Sequence, residues 1–269
     1  MPQYKLAAFD MDGTLLHPDG SLSDYAAGVM RAVEKKGVKV VPCTGRPYPG
    51  ALKHIEKIGL STIGVFCNGA QLRSAPGGEI LEECPLPLGD ALLMIDLSLE
   101  AGGHPRIYID DMVYVTRITE EDERYIKRTG SILEAVGNFR EFLDRPPLKI
   151  LSLISAESLP ELYEKSRLVF GDRLNITQSA SDYLECMHGG ATKGRGLNKL
   201  ASRWGISKEE IVVAGDHLND LTMFEEAGFS IAPKNAQPAV REAASHVCRS
   251  NAEDGVAKKF AEIFDAEKL

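Results

Sequence analysis

Two aspartates one residue apart stand at the end of an apolar run near the start of the chain. Asp10 and Asp12 follow Leu6–Phe9, and Gly13 comes directly after them. In a strand, residues i and i+2 project to the same side, so both carboxylates can point at one spot beyond the strand. Two carboxylates so close repel each other unless a divalent cation lies between them or one takes up a proton. An aspartate-rich turn without function is the open alternative.

A second group of polar residues follows another apolar run. Thr44, Gly45 and Arg46 come after residues 38–41, just before a predicted helix. A hydroxyl, a flexible glycine and a guanidinium at such a point bind phosphate oxygens well. For Thr44 an ordinary helix-capping role stays open, and for Arg46 a salt bridge on the surface of the core.

Two further groups lie in the last third of the chain. Asp216, Asn219 and Asp220 follow the apolar run 211–214, and Lys193 stands at the start of an amphipathic stretch. The carboxylate of Asp216 can complete an oxygen-rich metal site with the first aspartates. A solvated surface role stays open for Lys193, and a helix-capping role for Asn219 and Asp220.

Together, these motifs resemble those of the haloacid dehalogenase superfamily, in that family's order. They are Asp-x-Asp-Gly-Thr at 10–14, Thr-Gly-Arg at 44–46, a lysine at 193 and Gly-Asp-x-x-Asn-Asp at 215–220. Further stretches are similar to the Cof-like subfamily of phosphatases: Asn-Gly-Ala at 68–70, Lys-Gly at 193–194 and Asn-x-Glu-Asp-Gly-Val-Ala at 251–257. The resemblance spans the whole chain.

The resemblance implies phosphoryl transfer through a covalent aspartyl-phosphate. It makes Asp10 the nucleophile, and it makes Asp12 the acid that protonates the leaving alkoxide and then the base that activates water. It also implies Mg²⁺, held by a side-chain oxygen of Asp10, the backbone carbonyl of Asp12 and the carboxylate of Asp216. We expect a phosphatase with this metal site.

The resemblance also assigns the groups around the phosphate and the substrate. The expected phosphate-binding residues are Met11, Gly13, Thr44, Gly45, Lys193 and Asn219. Asp220 is expected to support the metal site from behind. Arg46 is expected to address phosphate or substrate, and Asn68 to contact the substrate.

The elements that must position these residues alternate short apolar strands with amphipathic helices. That pattern predicts an α/β fold with a Rossmann-like, doubly wound parallel sheet over residues 1–84 and 189–269. Between them, the pattern of residues 85–188 indicates an inserted α+β domain with a hairpin around Asp110 and Asp111. The resemblance implies that this insertion is a C2-type cap, which excludes water and selects the leaving group.

The leading functional hypothesis is Mg²⁺-dependent hydrolysis of small phosphorylated metabolites, sugar phosphates above all. A phosphomutase or phosphotransferase of the same superfamily is the nearer alternative, because it would share the aspartyl-phosphate. A module that binds phosphorylated metabolites without turnover is the more distant one. Such a module would not need both Asp10 and Asp12.

Charge and composition argue against several other functions. The formal net charge is −8 and basic residues form no consecutive block, which gives no basis for binding nucleic acid or an anionic membrane. The five cysteines lack Cys-x-x-Cys spacing and predict neither a zinc site nor a disulfide framework. The start of the chain lacks a signal-peptide pattern, and the apolar stretch 91–99 is too short to span a bilayer. We expect a cytoplasmic monomer or small homo-oligomer.

Overall fold

A computed structural model describes residues 4–266 of the chain, apart from the side chains of residues 128 and 179. The described residues fall into two compact units. The first comprises those up to Arg46, Ala51–Glu82 and those from Thr192 on, and the second comprises Pro47–Gly50 and Glu83–Ala191. The sequence-based bounds of core and cap stay a prediction, and their outer ends, residues 1–3 and 267–269, lie outside the described residues.

In chain order the described strands are β1 (Leu6–Phe9), β2 (Lys39–Pro42), β3 (Thr62–Phe66), β4 (Gln71–Ala75), β5 (Ile80–Glu83), β6 (His104–Ile109), β7 (Met112–Val115), β8 (Ile132–Ala135), β9 (Lys149–Leu153), β10 (Leu174–Ala180), β11 (Tyr183–His188), β12 (Ile211–Ala214), β13 (Phe229–Pro233) and β14 (His246–Cys248). The helices are α1 (Asp24–Lys35), α2 (Tyr48–Ile58), α3 (Leu88–Glu100), α4 (Glu120–Thr129), α5 (Phe139–Phe142), α6 (Leu159–Phe170), α7 (Lys193–Trp204), α8 (Leu221–Glu225), α9 (Pro238–Ala243) and α10 (Gly255–Phe264).

The first unit is built on a parallel sheet with the strand order β14-β13-β12-β1-β2. Strand β3 lies next to β2 through a parallel bridge between Cys43 and Val65. From β1 the chain moves to β2 on one side and later returns to β12 on the other, so the strand order reverses between β1 and β12. Ligands of open α/β sheets bind at the carboxyl ends of the strands at such a point. Phe9 pairs with Ala214, which brings the residues that follow β1 and β12 together.

The sequence of the central strands explains why they lie in the middle of the sheet. All four residues of β1 and all four of β12 are buried, as expected for parallel strands with helices on both faces. Leu197 and Leu200 of α7 pack on one face. Helices α1 and α10 pack against each other and against strands of the sheet. The predicted α/β fold with a doubly wound parallel sheet is confirmed.

Helix α7 has well-defined ends, and its first residue is Lys193. The Thr192 side chain accepts the N–H of Arg195 as an N-cap, and Gly205 ends the helix in the left-handed conformation. Because the cap fixes where the helix begins, it also fixes where the Lys193 side chain starts. A short antiparallel sheet, β3-β4-β5, also belongs to this unit, and its strands β4 and β5 were not predicted.

The second unit contains a six-stranded sheet with the order β10-β11-β9-β6-β7-β8. Helices α3 and α6 cover the face that carries Ile107 and Ile150, whereas Tyr125 of α4 packs on the opposite face. The predicted hairpin is present, with Asp110 and Asp111 both in the left-handed region between β6 and β7. The α+β character predicted for the insertion is confirmed. Among the described residues, no helix is long and apolar enough to cross a membrane.

Candidate active site

The residues that follow β1 form a tight turn directly against the residues that follow β12. Asp10 donates its N–H to the carbonyl of Ala214 at 2.9 Å, which continues the pairing of the two strands. Gly13 has a φ of +80°, and a Cβ at this position would lie 2.3 Å from Oδ2 of Asp216. Thr14 donates its hydroxyl to Oδ1 of Asp216 at 2.7 Å. Only glycine therefore fits where the two motifs meet.

Four charged side chains cluster at this junction, and all but Asp216 are buried. Nζ of Lys193 lies 2.5 Å from Oδ1 of Asp10 and 2.7 Å from Oδ1 of Asp220. Asp10, Asp216 and Asp220 each offer an oxygen within 4.8 Å of the others. Lys193 is only 1% exposed and Asp220 is fully buried. The burial of Lys193 removes the alternative of a solvated surface lysine.

Burial and mutual repulsion control the charges in the cluster. Burial raises the pKa of Asp10 well above its ordinary value, although the charge of Lys193 opposes the shift. Burial and the charge of Asp220 raise the pKa of Asp216 to about 7. Burial alone would lower the pKa of Lys193, but the charges of Asp10 and Asp220 raise it, so the ammonium stays protonated.

The donor set fits a hard divalent cation. When all three carboxylates are ionised, they leave an excess of two negative charges over the one ammonium. Carboxylate oxygens are the ligands that Mg²⁺ prefers, and a divalent cation would balance this excess. Asp220 already uses Oδ1 for Lys193, and its Oδ2 accepts the N–H groups of Asp216 and His217 at 2.9 and 3.0 Å. Asp10 and Asp216 are therefore the better side-chain ligands, and Asp220 holds the loop that carries Asp216.

The carboxylate of Asp12 does not join this cluster. Nε and Nη2 of Arg46 donate to its two oxygens, both at 2.6 Å, in a bidentate pair. The side chain of Asp12 is 57% exposed, whereas that of Arg46 is 8% exposed. Strand β1 ends at Phe9 and the chain turns over Met11–Leu15, so strand alternation does not determine where the Asp12 side chain points.

The remaining predicted residues line the neighbouring strand ends. Oγ1 of Thr44 accepts the N–H of Arg46 at 3.1 Å. Oδ1 of Asn68 accepts from Nδ2 of Asn219 at 2.9 Å, and a Cβ on Gly45 would lie 3.1 Å from the same Oδ1. Asn68 is buried in the left-handed conformation, which asparagine tolerates better than most residues. The structure thus joins Asn68 to the fourth motif through a pair of side-chain amides, and it places Gly45 of the second motif close to Asn68.

Two asparagines form hydrogen bonds with the turn after β1. The sequence analysis did not assign either of them to the site. Nδ2 of Asn235 donates to the carbonyl of Gly13 at 2.8 Å, and its Oδ1 accepts the N–H of Asn251 at 2.9 Å. Nδ2 of Asn251 donates to the carbonyl of Leu16 at 2.7 Å. Asn251 belongs to the motif at 251–257, from which its place in the site could have been predicted. Asn235 lies in none of the motifs described above.

Comparison with known proteins agrees with this geometry. The family model of haloacid dehalogenase-like hydrolases matches residues 7–260, and the chain belongs to this family. It is 30% identical over 256 residues to the 5-amino-6-(5-phospho-D-ribitylamino)uracil phosphatase YcsE of Bacillus subtilis, covering 94% of this chain and 93% of that protein. It is 28% identical over 262 residues to the pyridoxal phosphate phosphatase YbhA of Escherichia coli, covering 94% and 96%.

Solved structures give the same result for the fold. TM0651 from Thermotoga maritima matches with a TM-score of 0.81 at 31% identity, covering 96% of this chain and 97% of that one. The subclass IIB sugar phosphatase BT4131 matches with a TM-score of 0.85 at 22% identity, covering 97% and 99%, and shows the shared fold. The predicted membership in this superfamily is confirmed, and the chain is a phosphatase.

Proposed function

We propose that the chain hydrolyses phosphate monoesters of small metabolites, sugar phosphates among them, with Mg²⁺ and through a phosphate ester of Asp10. The observation that carries the proposal is the buried cluster of three carboxylates and one ammonium at the reversal point of the sheet. A purely structural cluster of this kind would leave carboxylates in the interior that stay uncompensated or must take up protons. A site that receives a divalent cation does not have this problem.

In the proposed reaction, Asp10 attacks phosphorus. Lys193 bonds Oδ1 of Asp10, which orients the carboxylate and leaves Oδ2 for the attack. The bond from Oδ2 to phosphorus forms as the bond from phosphorus to the ester oxygen breaks. Mg²⁺, when held by Asp10, the Asp12 carbonyl and Asp216, would neutralise the repulsion between carboxylates and phosphate.

Asp12 moves the proton in both half-reactions of this scheme. As an acid it protonates the departing alkoxide, and the resulting carboxylate then takes a proton from the water that attacks the phosphoryl-Asp10 ester. Its half-exposed carboxylate suits this task, because it lies outside the buried cluster and at the mouth of the site. Water addition breaks the bond to Asp10 and releases inorganic phosphate.

Charge that develops on the phosphoryl oxygens needs preorganised donors. The proposed donors are the N–H groups of Met11, Gly13 and Gly45, the hydroxyl of Thr44, the ammonium of Lys193 and the amide of Asn219. Asn68 is proposed to face the substrate through the amide pair that it forms with Asn219. We further propose that residues 85–188 act as the cap that excludes bulk water and recognises the leaving group.

The names of the relatives support the substrate class. One is a pyridoxal phosphate phosphatase, one a 5-amino-6-(5-phospho-D-ribitylamino)uracil phosphatase, and a structural neighbour is a sugar phosphatase. All three names describe the removal of phosphate from a small organic molecule. A panel for this chain should therefore contain sugar phosphates together with pyridoxal phosphate.

The proposal is tested by measuring phosphate release from this panel with Mg²⁺ and with a chelator. We expect turnover only with Mg²⁺. Asp10→Asn should abolish turnover and should also remove the hydroxylamine-sensitive, protein-bound phosphate that appears when labelled substrate is quenched in acid. Asp172→Asn, an exposed carboxylate, is the control and should behave as wild type. Persistent activity of Asp10→Asn, or full activity with chelator, would contradict the proposal.

A further inference from the structure

The guanidinium of Arg46 contacts two different side chains from its two sides. Its Nε and Nη2 bind the carboxylate of Asp12, as described above. Its Nη1 lies 3.4 Å from Nε2 of His54, a residue of α2 that is only 5% exposed. A buried imidazole, a buried guanidinium and a half-exposed carboxylate thus form one continuous chain of hydrogen bonds.

The hydrogen-bonding roles fix the protonation of His54. A guanidinium can only donate, so Nε2 of His54 must accept, and the neutral ring carries its proton on Nδ1. Burial, helped by the positive charges of Arg46 and Lys53, lowers the pKa of His54 to about 4. The imidazole is therefore neutral at neutral pH and stays an acceptor for Arg46.

Asp12 needs such support because of its exposure. A general acid must lie within hydrogen-bond reach of the leaving oxygen, and a misplacement of about 1 Å can cost about 100-fold in rate. A half-exposed aspartate has several rotamers open to it. Arg46 can select one of them through its bidentate pair, but an arginine side chain is itself long and flexible. It can orient Asp12 only if its own far side is held.

We propose that His54 is a positioning residue, which fixes the guanidinium of Arg46 and thereby holds Asp12 in the rotamer that transfers protons. In the acid step the protonated carboxyl of Asp12 keeps one bond from Arg46 through its unprotonated oxygen and gives the proton on the other oxygen to the leaving group, and the bidentate pair forms on the resulting carboxylate. This inference rests on the proposed acid–base role of Asp12. It gives α2 a part in catalysis, because the helix anchors the imidazole. The position of Asp12 is then set by buried groups although the carboxylate itself faces solvent.

A role in packing alone does not account for this residue. A buried polar ring costs free energy unless it is paired, so a space-filling position favours an apolar side chain. The next positions that α2 buries are apolar, Ile55 and Ile58. His54 instead brings a ring nitrogen to the cation that binds Asp12.

The test compares leaving groups. A good leaving group, such as p-nitrophenolate, needs little help from a general acid, whereas the alkoxide of a sugar phosphate needs it most. We expect His54→Leu to lower kcat/KM, which reports the transfer of the phosphoryl group to Asp10, about tenfold on an alkyl phosphate, since a displaced general acid loses part of a contribution of about 100-fold or more. Its kcat/KM on p-nitrophenyl phosphate should stay within about twofold of wild type, whereas hydrolysis of the shared phosphoryl-Asp10 ester, which uses Asp12 as a base, should slow equally for both substrates.

Matched variants separate this effect from a loss of packing. His54→Gln keeps an acceptor near the position of Nε2 and should restore most of the rate on the alkyl phosphate. Ile55→Val removes one buried methyl group from the same helix and should leave the ratio of the two substrates unchanged. Thermal unfolding of each variant checks that it is folded. If His54→Leu does not fold, His54→Asn replaces it, because its shorter amide cannot reach the Nε2 position.

Three results would overturn the inference. The first is an equal loss of kcat/KM on both substrates in His54→Leu, which would indicate a structural role. The second is a kcat/KM on the alkyl phosphate that stays at the wild-type value, which would show that Asp12 keeps its place without His54. The third is a failure of His54→Gln to recover. Asp12→Asn is measured in parallel: if it lowers kcat/KM on both substrates equally, the role of Asp12 as the acid fails, whereas a selective loss there with none in His54→Leu refutes the role of His54 alone.

Discussion

Asp216 offers the sharpest quantitative test of the charged cluster, through the variant Asp216→Asn. The amide keeps an acceptor for the hydroxyl of Thr14 but cannot ionise. In wild type without metal, burial and the charge of Asp220 raise the pKa of Asp216 to about 7, whereas an aspartate of an unfolded chain titrates near about 4. The folded chain therefore binds this proton more tightly than the unfolded chain does.

The sign of the pH dependence follows from this difference. Below about pH 4 Asp216 is protonated in both states and has no effect. Between about pH 4 and 7 the unfolded chain has lost the proton and the folded chain retains it, so stability falls as pH rises. Above about pH 7 the penalty is constant. At about 1.4 kcal/mol for each pH unit of this interval, the full penalty is on the order of 4 kcal/mol.

The assay is urea unfolding with a chelator at about pH 5 and about pH 8.5. Asp216→Asn should be more stable than wild type, and the gap should widen by about 3 kcal/mol between these two pH values, because most of the interval between the unfolded and folded pKa values of Asp216 lies above about pH 5. Comparing the two proteins at each pH removes the contributions of the other ionisable groups that they share. Asp172→Asn serves as the control for an exposed carboxylate.

Mg²⁺ should narrow this gap in stability. Wild type should gain about 2.7 kcal/mol when Mg²⁺ is present at about one hundred times its Kd, with the gain larger at high pH, where Asp216 is ionised. Asp216→Asn should gain much less, since it lacks one ligand and one charge. A gap that does not change with pH, or an equal gain from Mg²⁺ in both proteins, would refute the account of the cluster.

Two further predictions concern the neighbours of this carboxylate. Lys193→Met leaves the buried carboxylate of Asp10 without its cation, so we expect a loss of about 3 kcal/mol in urea unfolding and at least about 100-fold lower kcat; retention of full activity would contradict the orienting role of the ammonium. Gly13→Ala forces a Cβ against Asp216 at a positive φ, so we expect a loss of about 1–3 kcal/mol and no thermal stabilisation by Mg²⁺. A wild-type response to Mg²⁺ in that variant would show that the turn can relax without harm to the site.

The ends of the strands and the order of the motifs could be predicted from the sequence, because short apolar runs indicate buried parallel strands. Leu6–Phe9 and Ile211–Ala214 are such runs, and the polar residues after them must meet once the two strands pair. The placement of Asp10 and Asp216 follows from this rule alone. The bond between Lys193 and Asp10 does not, because it depends on where α7 begins in space.

Helix α4 and strand β8 were not predicted from the sequence, and the reason is physical. The helix begins with four acidic residues and contains few apolar residues, so no apolar run marks it in the sequence. It is stabilised by a capping box between Thr119 and Asp122, and by the bond of the buried Asp122 with Arg106. The pattern Thr-x-x-Asp is a recognised start signal for helices and would have indicated it. Strand β8 is short and largely exposed at the sheet edge.

The pairing of Arg46 with Asp12 could not be read from spacing. From the sequence, two roles stayed open for Arg46, because a guanidinium suits both. One was a contact with phosphate or substrate, and the other was a salt bridge on the surface of the core. The structure gives it a carboxylate partner 34 positions away, and only the meeting of two strand ends creates that contact. The predicted contact of Arg46 with substrate stays a prediction.

The turn that follows Asp10 is held by groups that do not depend on a cation. Asn235 and Asn251 bind carbonyls on both sides of the turn, and Oδ1 of Asp254 accepts from Ser23 at 2.7 Å and lies 2.9 Å from Nε2 of His17. These contacts join the end of the chain to its beginning. Donors and carboxylates fixed in this way need little reorganisation when charge develops on the phosphate, which is the condition for electrostatic catalysis. The turn therefore already has its shape before a cation binds to the cluster, so binding of the cation does not have to order the turn.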